Sequence, residues 1–492
     1  MFGDEKMIYI PKFIFNKENI ENYFETFSKD YEVKINGIPC DVNVCRVSAM
    51  PFNRIWQGRQ RDVSQTELAS FINFYGDEAV TVEVKCNRQF NNCVVRPLSK
   101  GVNVKRNGDL IVFTLKQNGN YVFELDDSHF ALHIFYNIPF KTVEPNDVTY
   151  YFGPGVHRPL LLNLKSNESV YIHPEAMVYT TIYCDGAENV KIFGGGILNN
   201  CCQERVAYTY YDRFPIGNIR MFDTKGIIIE DVILMDSSNW VCALFNCDNI
   251  LIDGIKIIGQ WRYNTDGIDL INSSNAKIQN CFVRTFDDSI CIKAINNHSC
   301  CENIEVDNCV CWCQWGKTLE IGLETSADEY RNISYSNCDL IHNDAAALAI
   351  SNGNYANIHN ISYENINIEF QSYTRAPVIQ QNDEMTYPDN LFAPIGEAIR
   401  IENHKIHDEY KYKTIDERDK KYGKTYDIVY KNINVYKDEE MDECKIWIQS
   451  YSSDEPIENV SINNITVNGV YVKTLDMVNI KCENAKNVIY NK

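Results

Sequence analysis

Short apolar segments recur along most of the chain, and nearly all of them follow the same pattern. The unit is an Asn, two variable residues, an aliphatic or aromatic residue, two polar or small residues, and then an apolar residue or Cys. From Gly226 to Asn360 successive units are separated by 23, 26, 28, 29 and 28 residues. The units begin at Asn189, Gly226, Asn249, Asn275, Asn303, Asn332, Asn360, Asp427, Asn459 and Asn487.

A repeat of this length is typical of leucine-rich repeats and of parallel β-helices. The dense Leu-x-x-Leu-x-Leu pattern is absent, and each unit carries a short Ile/Val-rich segment that reads as a strand, such as Ile227–Ile229. We therefore predict a parallel β-helix over residues 141–492. Cys281, Cys309 and Cys338 hold the same place in three successive units, and we expect them to form an internal ladder of small buried side chains rather than a metal stack.

Two regions lack the repeat. Residues 1–140 alternate apolar and polar positions in short runs, such as Val80–Val84 and Tyr121–Leu125, with turn signals between them, which predicts an antiparallel β-sandwich. We expect this domain to pack on the end of the helix and to cover an exposed strand edge. Residues 371–426 are charged and aromatic, and we predict an insertion there, with a strand at Ala398–Glu402. This insertion either walls a cleft or is a solvated loop.

The net charge and the cysteine content exclude several classes of partner and function. The formal net charge of −20 repels phosphate backbones, so no nucleic-acid partner is expected, and a neutral ligand fits better than a polyanion. The first residues show no secretory signal, and no apolar run is long enough to span a bilayer. We therefore expect a cytoplasmic protein without membrane contact, whose 19 cysteines are reduced thiols. No cysteine spacing suits a zinc site, so we expect no metal.

The strongest chemical signal is a pair of acidic motifs one repeat apart. Asp266 lies in the segment Asn264–Asp269, and Asp287 and Asp288 follow 21 residues later. Each motif alone is typical of a turn or a strand end. On adjacent rungs, however, their carboxylates would lie within about 10 Å of each other. Like charges this close raise at least one pKa, which gives the acid and the base that glycoside hydrolysis requires.

These two motifs resemble those of glycoside hydrolase family 28, the polygalacturonase family, and its relatives such as the family 49 dextranases. The resemblance covers about residues 150–370 and implies a right-handed parallel β-helix, hydrolysis with inversion, and no metal or other cofactor. It also implies that Asp287 is the general acid, that Asp266 and Asp288 activate the attacking water, and that Asn264 orients the sugar or a carboxylate. The N-terminal sandwich resembles the accessory domain that precedes the β-helix in family 49, for which carbohydrate binding is the alternative role.

The chain departs from the family pattern at two places. Lys317 stands where the family has the His of a Gly-His-Gly segment. The Arg-Ile-Lys triplet that grips galacturonate carboxylates has no counterpart, because its expected place is Ala347–Ser351. A uronate bound there would lack bidentate, charge-assisted donors, although Lys317 could partly substitute. A neutral sugar is therefore expected, with an α-glucan or an α-galactoside favoured over pectin.

Further residues beside the acidic motifs are predicted to contact the substrate. Aromatic faces stack on sugar C–H groups, and basic side chains donate hydrogen bonds to hydroxyls, but any of these aromatic residues could equally be part of the core. Lys317 is included, and Glu324 follows an Ile-Gly-x-Glu segment like that of the family. The remaining predicted contacts are Asp269, Trp240, Trp261, Arg262, Tyr263 and Trp315.

Three functions remain open at this point. The first is an inverting glycosidase acting on a carbohydrate, either a neutral sugar or, as in polygalacturonases, pectin. The second is a polysaccharide lyase on the same fold, for which Lys317 would supply a base. The third is a non-catalytic carbohydrate-binding β-helix. The oligomeric state stays undetermined.

Overall fold

The computed structural model describes residues 8–13, 15, 25–49, 63–205, 212–295, 299–371, 396–404, 423–438, 444–473 and 478–491. Within these ranges the chain is built of strands, with short 3-10 turns at Val63–Gln65, Leu98–Lys100 and Pro145–Asp147. No helix in these ranges is long and apolar enough to cross a membrane. All 19 cysteines fall within the described residues and are free thiols.

The first ten strands form two sheets that enclose one apolar core. One sheet is antiparallel in the order β2-β1-β5-β8-β7, and the other has the order β3-β4-β10-β9-β6. The second sheet differs from the expected pattern because β10 pairs with β4 in parallel. The strands are β1 Tyr31–Ile35, β2 Ile38–Cys40, β3 Asn43–Ser48, β4 Thr66–Tyr75, β5 Val80–Cys86, β6 Cys93–Arg96, β7 Lys105–Asn107, β8 Leu110–Leu115, β9 Gly119–Leu125 and β10 Leu132–Asn137.

The remaining strands wind into a parallel β-helix, which confirms the predicted fold class of a right-handed parallel β-helix after a β-sandwich. These strands are β11 Tyr150–Phe152, β12 Gly155–Leu164, β13 Ser169–Ile172, β14 Ala176–Asp185, β15 Glu188–Gly194, β16 Ile197–Asn199, β17 Ile219–Phe222, β18 Lys225–Glu230, β19 Ile233–Met235, β20 Cys242–Phe245, β21 Asp248–Asp253, β22 Lys256–Ile258, β23 Ile268–Ile271, β24 Ser274–Gln279, β25 Phe282–Thr285, β26 Ile290–Ala294, β27 Cys300–Asp307, β28 Val310–Cys313, β29 Leu319–Thr325, β30 Glu329–Ser336, β31 Asp339–Asn343, β32 Leu348–Asn352, β33 Asn357–Phe370, β34 Glu397–Asn403, β35 Thr425–Lys437, β36 Lys445–Ser450, β37 Ile457–Val467, β38 Val470–Tyr471, β39 Asn479–Glu483 and β40 Ala485–Asn491. The division between domains at residue 140 stays a prediction.

Each full coil contributes one strand to each of three parallel sheets. Sheet I contains β17, β20, β23, β26, β29, β32, β34, β36 and β39. Sheet II runs from β15 through β18, β21, β24, β27 and β30 to β33, and sheet III runs through β16, β19, β22, β25, β28 and β31. The turn from sheet III to sheet I is the one that carries the acidic motifs.

The residue that opens each repeat has a structural reason to be asparagine. Asn249, Asn275, Asn303 and Asn332 all have φ between 54° and 57°, a left-handed conformation that asparagine tolerates better than most residues. Their side-chain amides bond from rung to rung, for example Asn303 Nδ2 to Asn275 Oδ1 at 2.9 Å. The asparagine that recurs in the sequence therefore forms the bend of each coil, and its side chain links neighbouring coils.

The interior of the helix is filled by stacked small and branched side chains, as the sequence predicts. Cys281, Cys309 and Cys338 lie in the main apolar cluster, and the Cys309 thiol lies between the other two within hydrogen-bonding reach. The ladder of buried cysteines is confirmed. The strand predicted at Ala398–Glu402 is also present, as β34. The rest of the predicted insertion lies largely outside the described residues.

The sandwich lies along the side of the helix rather than against its end, contrary to the expectation. Phe71 and Phe135 of the sandwich share an apolar cluster with residues of the β-helix. These residues run from Met177 on β14 along sheet III to Ile341 on β31. Sheet III presents apolar residues outward as well as inward, so its outer face needs a cover. The sandwich supplies that cover along several coils.

A buried ionic network crosses the same interface. Arg96 of the sandwich pairs with Glu124 at 2.8 Å and with Glu369 on β33. Glu124 also bonds to His342 on β31. Burial alone would raise the pKa of Glu124, but His342 and Arg96 outweigh it and lower this pKa to about 2. Both glutamates therefore depend on one guanidinium that reaches across the domain boundary.

Replacing Arg96 by Met should lower the free energy of unfolding by about 3–5 kcal/mol, because two buried glutamates lose their cation. Urea unfolding followed by tryptophan fluorescence measures the change. Lys85→Met, which removes an exposed pair with Glu32, is the control and should leave the unfolding midpoint unchanged. Equal midpoints for the two variants would show that the network contributes nothing to stability.

Candidate active site

The predicted acidic residues lie in consecutive turns between sheet III and sheet I. Backbone hydrogen bonds hold these turns in register, from Gly267 N–H to Asp288 O at 2.8 Å and from Ser289 N–H to Lys317 O at 3.1 Å. Asp266, Asp288 and Lys317 therefore occupy equivalent positions on three adjacent rungs. The spacing of one coil in the sequence becomes the spacing of one rung in space.

The carboxylates of Asp266 and Asp288 meet at the ammonium group of Lys293 on β26. Lys293 Nζ lies 2.5 Å from Asp266 Oδ2, 3.0 Å from Asp269 Oδ1 and 3.9 Å from Asp288 Oδ2. Asp266 and Asp269 are almost fully buried, whereas Asp287 and Asp288 are partly exposed. The acidic side chains thus form one cluster on the outside of sheet I, with an accessible edge.

Asp287 is held by hydrogen bonds to both of its carboxyl oxygens. The Asp288 backbone N–H donates to Asp287 Oδ1 at 3.1 Å, and Asn264 Nδ2 donates to Asp287 Oδ2 at 3.5 Å. Asn264 is positioned in turn by Arg205, whose Nη2 donates to its Oδ1 at 2.9 Å. Asn264 therefore contacts the carboxyl group of Asp287. The sequence predicted that it orients the sugar or a carboxylate, and its contact with a sugar stays a prediction.

The three aspartates have different protonation tendencies. Burial, reinforced by Asp266 and Asp288, raises the pKa of Asp287 well above its usual value. Burial also raises the pKa of Asp266, to about 6, although Lys293 opposes it. For Asp288 the effect of burial is outweighed by Lys317, Lys293 and hydrogen bonds from Glu320 and the Lys317 amide, and its pKa is lowered. The cluster therefore combines carboxyl groups of raised proton affinity with one, Asp288, of lowered proton affinity.

Lys317, on the third rung, is bound within the same cluster. Its backbone N–H donates to Asp288 Oδ1 at 2.8 Å, and its Nζ lies 2.8 Å from Glu320 Oε1. The preceding residue, Gly316, lies directly over the aspartates. A Cβ atom at Gly316 would come within 2.2 Å of Asp288 Oδ1 and 2.6 Å of Asp287 Oδ1.

One group of side chains in the described residues has the spacing of a metal site. The ligand atoms of Asp288, Cys291 and Glu320 all lie within 4.8 Å of one another. However, Lys317 Nζ lies 2.8 Å from Glu320, and Lys293 Nζ lies 3.9 Å from Asp288. These ammonium groups already supply the positive charge that a cation would bring, so the arrangement favours ion pairing over metal binding. The prediction that the enzyme needs no metal stays a prediction.

The predicted aromatic contacts differ in exposure. Trp315 is partly exposed and stacks on Phe286 at a centroid distance of 5.8 Å. Tyr263 is buried edge-on against both rings. Trp240 is also buried, and Lys293 Nζ lies 4.2 Å from its ring centroid. Of these aromatic residues, Trp315 is best placed to meet a ligand.

Trp261 and Arg262 both hydrogen-bond to Asp236, which is fully buried. The indole N–H of Trp261 donates to Asp236 Oδ1 at 3.0 Å, and Arg262 Nη1 bonds to the same oxygen. Arg262 also lies over the Trp261 ring at 4.4 Å. Their predicted contact with substrate stays a prediction, and in the structure they stabilise the wall of the site.

The remaining predicted residues lie beneath or beside the aspartates. Asp269 is fully buried and pairs with Lys293, which makes it a support for Asp266. The charge of Glu324 raises the pKa of Asp266 and that of Lys293, so Glu324 lies within electrostatic reach of both. Contact of either residue with the substrate stays a prediction.

Three residues of the site were not assigned by the sequence analysis. Lys293 ends the motif that begins at Asp287, and that motif could have identified it. Glu320 lies three residues after Lys317 and faces the same side of sheet I, a weak signal. Arg205 lies about 60 residues before Asn264, and no local pattern connects them.

The structure also shows what occupies the place of the missing basic triplet. On β32 the outward row of sheet I carries Ala349, which pairs with Glu320 on one side and Arg400 on the other. Arg400 is itself bonded to Glu402 at 2.6 Å and to Glu397 at 3.3 Å. On this side of the acidic cluster, the cation of the row, Arg400, is therefore already paired with two glutamates.

Comparisons with known proteins agree with this geometry. The sequence pattern of the family "Glycosyl hydrolases family 28" matches residues 180–452, which is more than half of the chain. The exopolygalacturonase of Oenothera organensis is 27% identical over 161 residues, covering 31% of this chain and 42% of that protein. Exopolygalacturonase X of Aspergillus niger is 28% identical over 204 residues, covering 36% and 46%. The match thus spans less than half the length of these curated relatives.

Among solved structures, Dex49A from Penicillium minioluteum superimposes with a TM-score of 0.52 at 13% identity, covering 94% of this chain and 87% of that one. At this level of identity the likeness shows a common fold.

Gly316→Ala should lower kcat by at least about 100-fold, because its Cβ would displace the carboxylates of Asp287 and Asp288. The thermal unfolding midpoint should fall as well, because the same Cβ would lie 2.6 Å from the backbone nitrogen of Asp288. Steady-state kinetics and calorimetry measure the two effects. Gly153→Ala, whose Cβ would meet only the edge of the Tyr151 ring at 3.2 Å, is the control. Full activity in Gly316→Ala would contradict the geometry described for this turn.

Proposed function

The chain belongs to family 28 of the glycosyl hydrolases, and we propose that it hydrolyses a glycosidic bond, with inversion, in a neutral oligo- or polysaccharide. The observation that carries the proposal is the meeting of Asp266, Asp287 and Asp288 on adjacent rungs, with three different proton affinities. Two carboxyl groups of opposite protonation are what glycoside hydrolysis needs.

In the proposed reaction Asp287 is the general acid. Its raised pKa favours the protonated form, and it gives its proton to the oxygen of the leaving group as the glycosidic bond breaks. Asn264 and the Asp288 amide hold its carboxyl group in place for that transfer. A water molecule attacks the anomeric carbon from the opposite face of the sugar, which inverts the configuration.

Asp266 and Asp288 are the two carboxylates proposed to act as the general base for the attacking water. Both are ionised above about pH 6, and both lie within 3.9 Å of the same Lys293 ammonium group. Asp266 Oδ1 has no protein partner among the described residues, so it can accept a hydrogen bond from water. Lys293 stabilises the carboxylates until one of them takes the proton of the water.

The neutral substrate is supported by the charges around the site. The cluster holds five acidic side chains, Asp266, Asp269, Asp287, Asp288 and Glu320, against Lys293 and Lys317. Both lysines are already paired with carboxylates, and Arg400 is paired with Glu397 and Glu402. A uronate carboxylate would enter a negative site in which these three cations already have protein carboxylates as partners. An α-glucan or an α-galactoside fits this environment better.

A second candidate is hydrolysis of polygalacturonate, favoured by the relatives named as exopolygalacturonases. In that case Lys317 or Arg400 would have to release a glutamate with which it is paired and bind the substrate carboxylate instead. A lyase or a non-catalytic binding protein would differ from both candidates in its product. A lyase leaves an unsaturated sugar that absorbs ultraviolet light, and a binding protein leaves no product.

The purified enzyme should be screened against neutral substrates, namely nitrophenyl α-glucosides and α-galactosides, and against oligogalacturonates. It should hydrolyse at least one of the neutral α-linked substrates. Asp287→Asn should lower kcat by at least about 1,000-fold because the leaving group loses its acid. Asp109→Asn, on an exposed turn of the sandwich, is the matched control and should keep full activity. Proton NMR of the first-formed product should show the inverted anomer.

Two outcomes would contradict the proposal. Hydrolysis confined to oligogalacturonates would replace the neutral substrate by the second candidate. Undiminished hydrolysis in Asp287→Asn would remove Asp287 as the acid.

The pH dependence of kcat should show an acid limb near pH 6. The base must be ionised to take a proton from water, and burial raises the pKa of Asp266 to about 6, so activity falls as the pH drops below that value. Circular dichroism at each pH verifies that the protein stays folded. A rate that keeps rising down to pH 4 would show that Asp266 is not required in its ionised form.

A further inference from the structure

Glu320 is the one acidic residue of the cluster that the proposed mechanism leaves without a role. It lies on β29, fully buried, on the outward row of sheet I between Cys291 and Ala349. A glutamate in this position loses its hydration and adds a fifth carboxyl group to a crowded site. Such a residue is retained only if its neighbours compensate for the cost.

Two contacts of Glu320 define its environment. Lys317 Nζ lies 2.8 Å from Glu320 Oε1, and carboxyl oxygens of Glu320 and Asp288 lie within 4.8 Å of each other, so that one proton can bridge the two groups. Lys317 also donates its backbone N–H to Asp288 Oδ1 at 2.8 Å. The three residues therefore close a ring of contacts on the side of Asp288 away from Lys293.

A hydrogen bond between two carboxyl groups requires one proton between them, because two carboxylates have only acceptors. Burial and the neighbouring Asp288 raise the pKa of Glu320 to about 7, whereas the pKa of Asp288 is lowered. The proton therefore resides on Glu320, which donates, and Asp288 accepts as a carboxylate. Lys317 stabilises the pair at the place where relatives carry a histidine.

We propose that Glu320 is a positioning residue for the water-activating carboxylate: together with Lys317 it shares one proton with Asp288 and fixes that carboxylate toward the substrate. This inference rests on the proposed function, since it assigns a partner to its base. It goes beyond the three aspartates, because it makes a fourth acidic residue part of the active state.

Loss of that proton should reduce activity at alkaline pH. When Glu320 ionises above about pH 7, it can no longer donate, and a second negative charge stands beside Asp288. Ionised Glu320 also competes for Lys317. The groups facing Glu320 from the elements packed against it are Asp288, Cys291, Lys317, Tyr335, Tyr363 and Arg400.

Cys291, Tyr335 and Tyr363 do not change charge in this range, since burial raises the pKa of each well above its usual value. Lys317 stays charged because Glu320 and Asp288 outweigh the effect of burial on its pKa. Within this set, Glu320 is the group whose charge changes near pH 7.

The test is the pH profile of kcat for Glu320→Gln, measured on the substrate that the screen identifies. Glutamine keeps a donor for Asp288 but cannot ionise, so the alkaline limb should move to higher pH while the acid limb stays in place. Glu320→Ala removes the donor and should lower kcat about 10- to 100-fold at every pH. Glu364→Gln, which removes an exposed pair with Lys431 on sheet II, is the matched control and should leave both limbs unchanged.

Lys317→Met provides an independent variant, should the Glu320 variants fail to fold. Without the ammonium group Glu320 holds its proton to higher pH, so the alkaline limb should shift upward, while the acid limb, which Asp266 sets, should stay in place. The proposal would be overturned if the alkaline limb stayed in place in Glu320→Gln. If only Lys317→Met folds, the same criterion applies to that variant. A structural role alone would lower kcat without moving either limb.

The outcome for Glu320 is separable from that of the proposed function. If Asp287→Asn abolishes hydrolysis while Glu320→Gln leaves the pH limbs in place, only the role of Glu320 fails. If Asp287→Asn leaves hydrolysis intact, the proposed function itself fails.

Discussion

The stacking of coils in register is the constraint on which the site depends. Parallel strands on successive coils lie about 4.8 Å apart, so residues at equivalent positions are brought together whatever the length of chain between them. Asp269, Cys291 and Glu320 are paired directly in this way. The asparagine bends and the buried cysteine ladder hold that register. A slip of one residue on one coil would turn its side chains to the opposite face and dismantle the cluster.

The distribution of two ammonium groups among five carboxyl groups then decides the chemistry. A unit charge about 4 Å away contributes about 4 kcal/mol at an effective dielectric constant of 20, which corresponds to about three pKa units. Lys293 bonds to Asp266 and Asp269, and Lys317 bonds to Glu320 and, through its amide, to Asp288. Neither lysine pairs with Asp287, and the pKa of Asp287 is raised well above its ordinary value, in the direction an acid needs. Burial raises the pKa of Asp266 and Asp287, and the two ammonium groups outweigh burial only at Asp288.

The sequence predicts those parts of the structure that repeat or that fall within a short motif. The β-helix, the cysteine ladder and strand β34 follow from patterns visible in the chain, and one-coil spacing brings Asp266 to Asp287 and Asp288 as expected. Contacts between distant segments were not predictable, because no periodicity connects Arg205 to Asn264 or Glu124 to His342. The parallel pairing of β10 with β4 and the position of the sandwich along sheet III also depend on tertiary packing.

The position of the sandwich bears on the catalytic turns themselves. Arg284 precedes the Asp287 motif by three residues, and it hydrogen-bonds to His133 of the sandwich at 3.0 Å while lying 3.5 Å over the Trp312 ring. Gln314, two residues before Gly316, donates to the backbone oxygen of Ser48 at 3.3 Å. Burial lowers the pKa of His133 to about 3, with Arg284 adding to the effect, so the imidazole is neutral and can accept from the guanidinium. Because two successive turns of the acidic cluster begin at residues bound to the sandwich, that domain supports the candidate active site as well as covering sheet III.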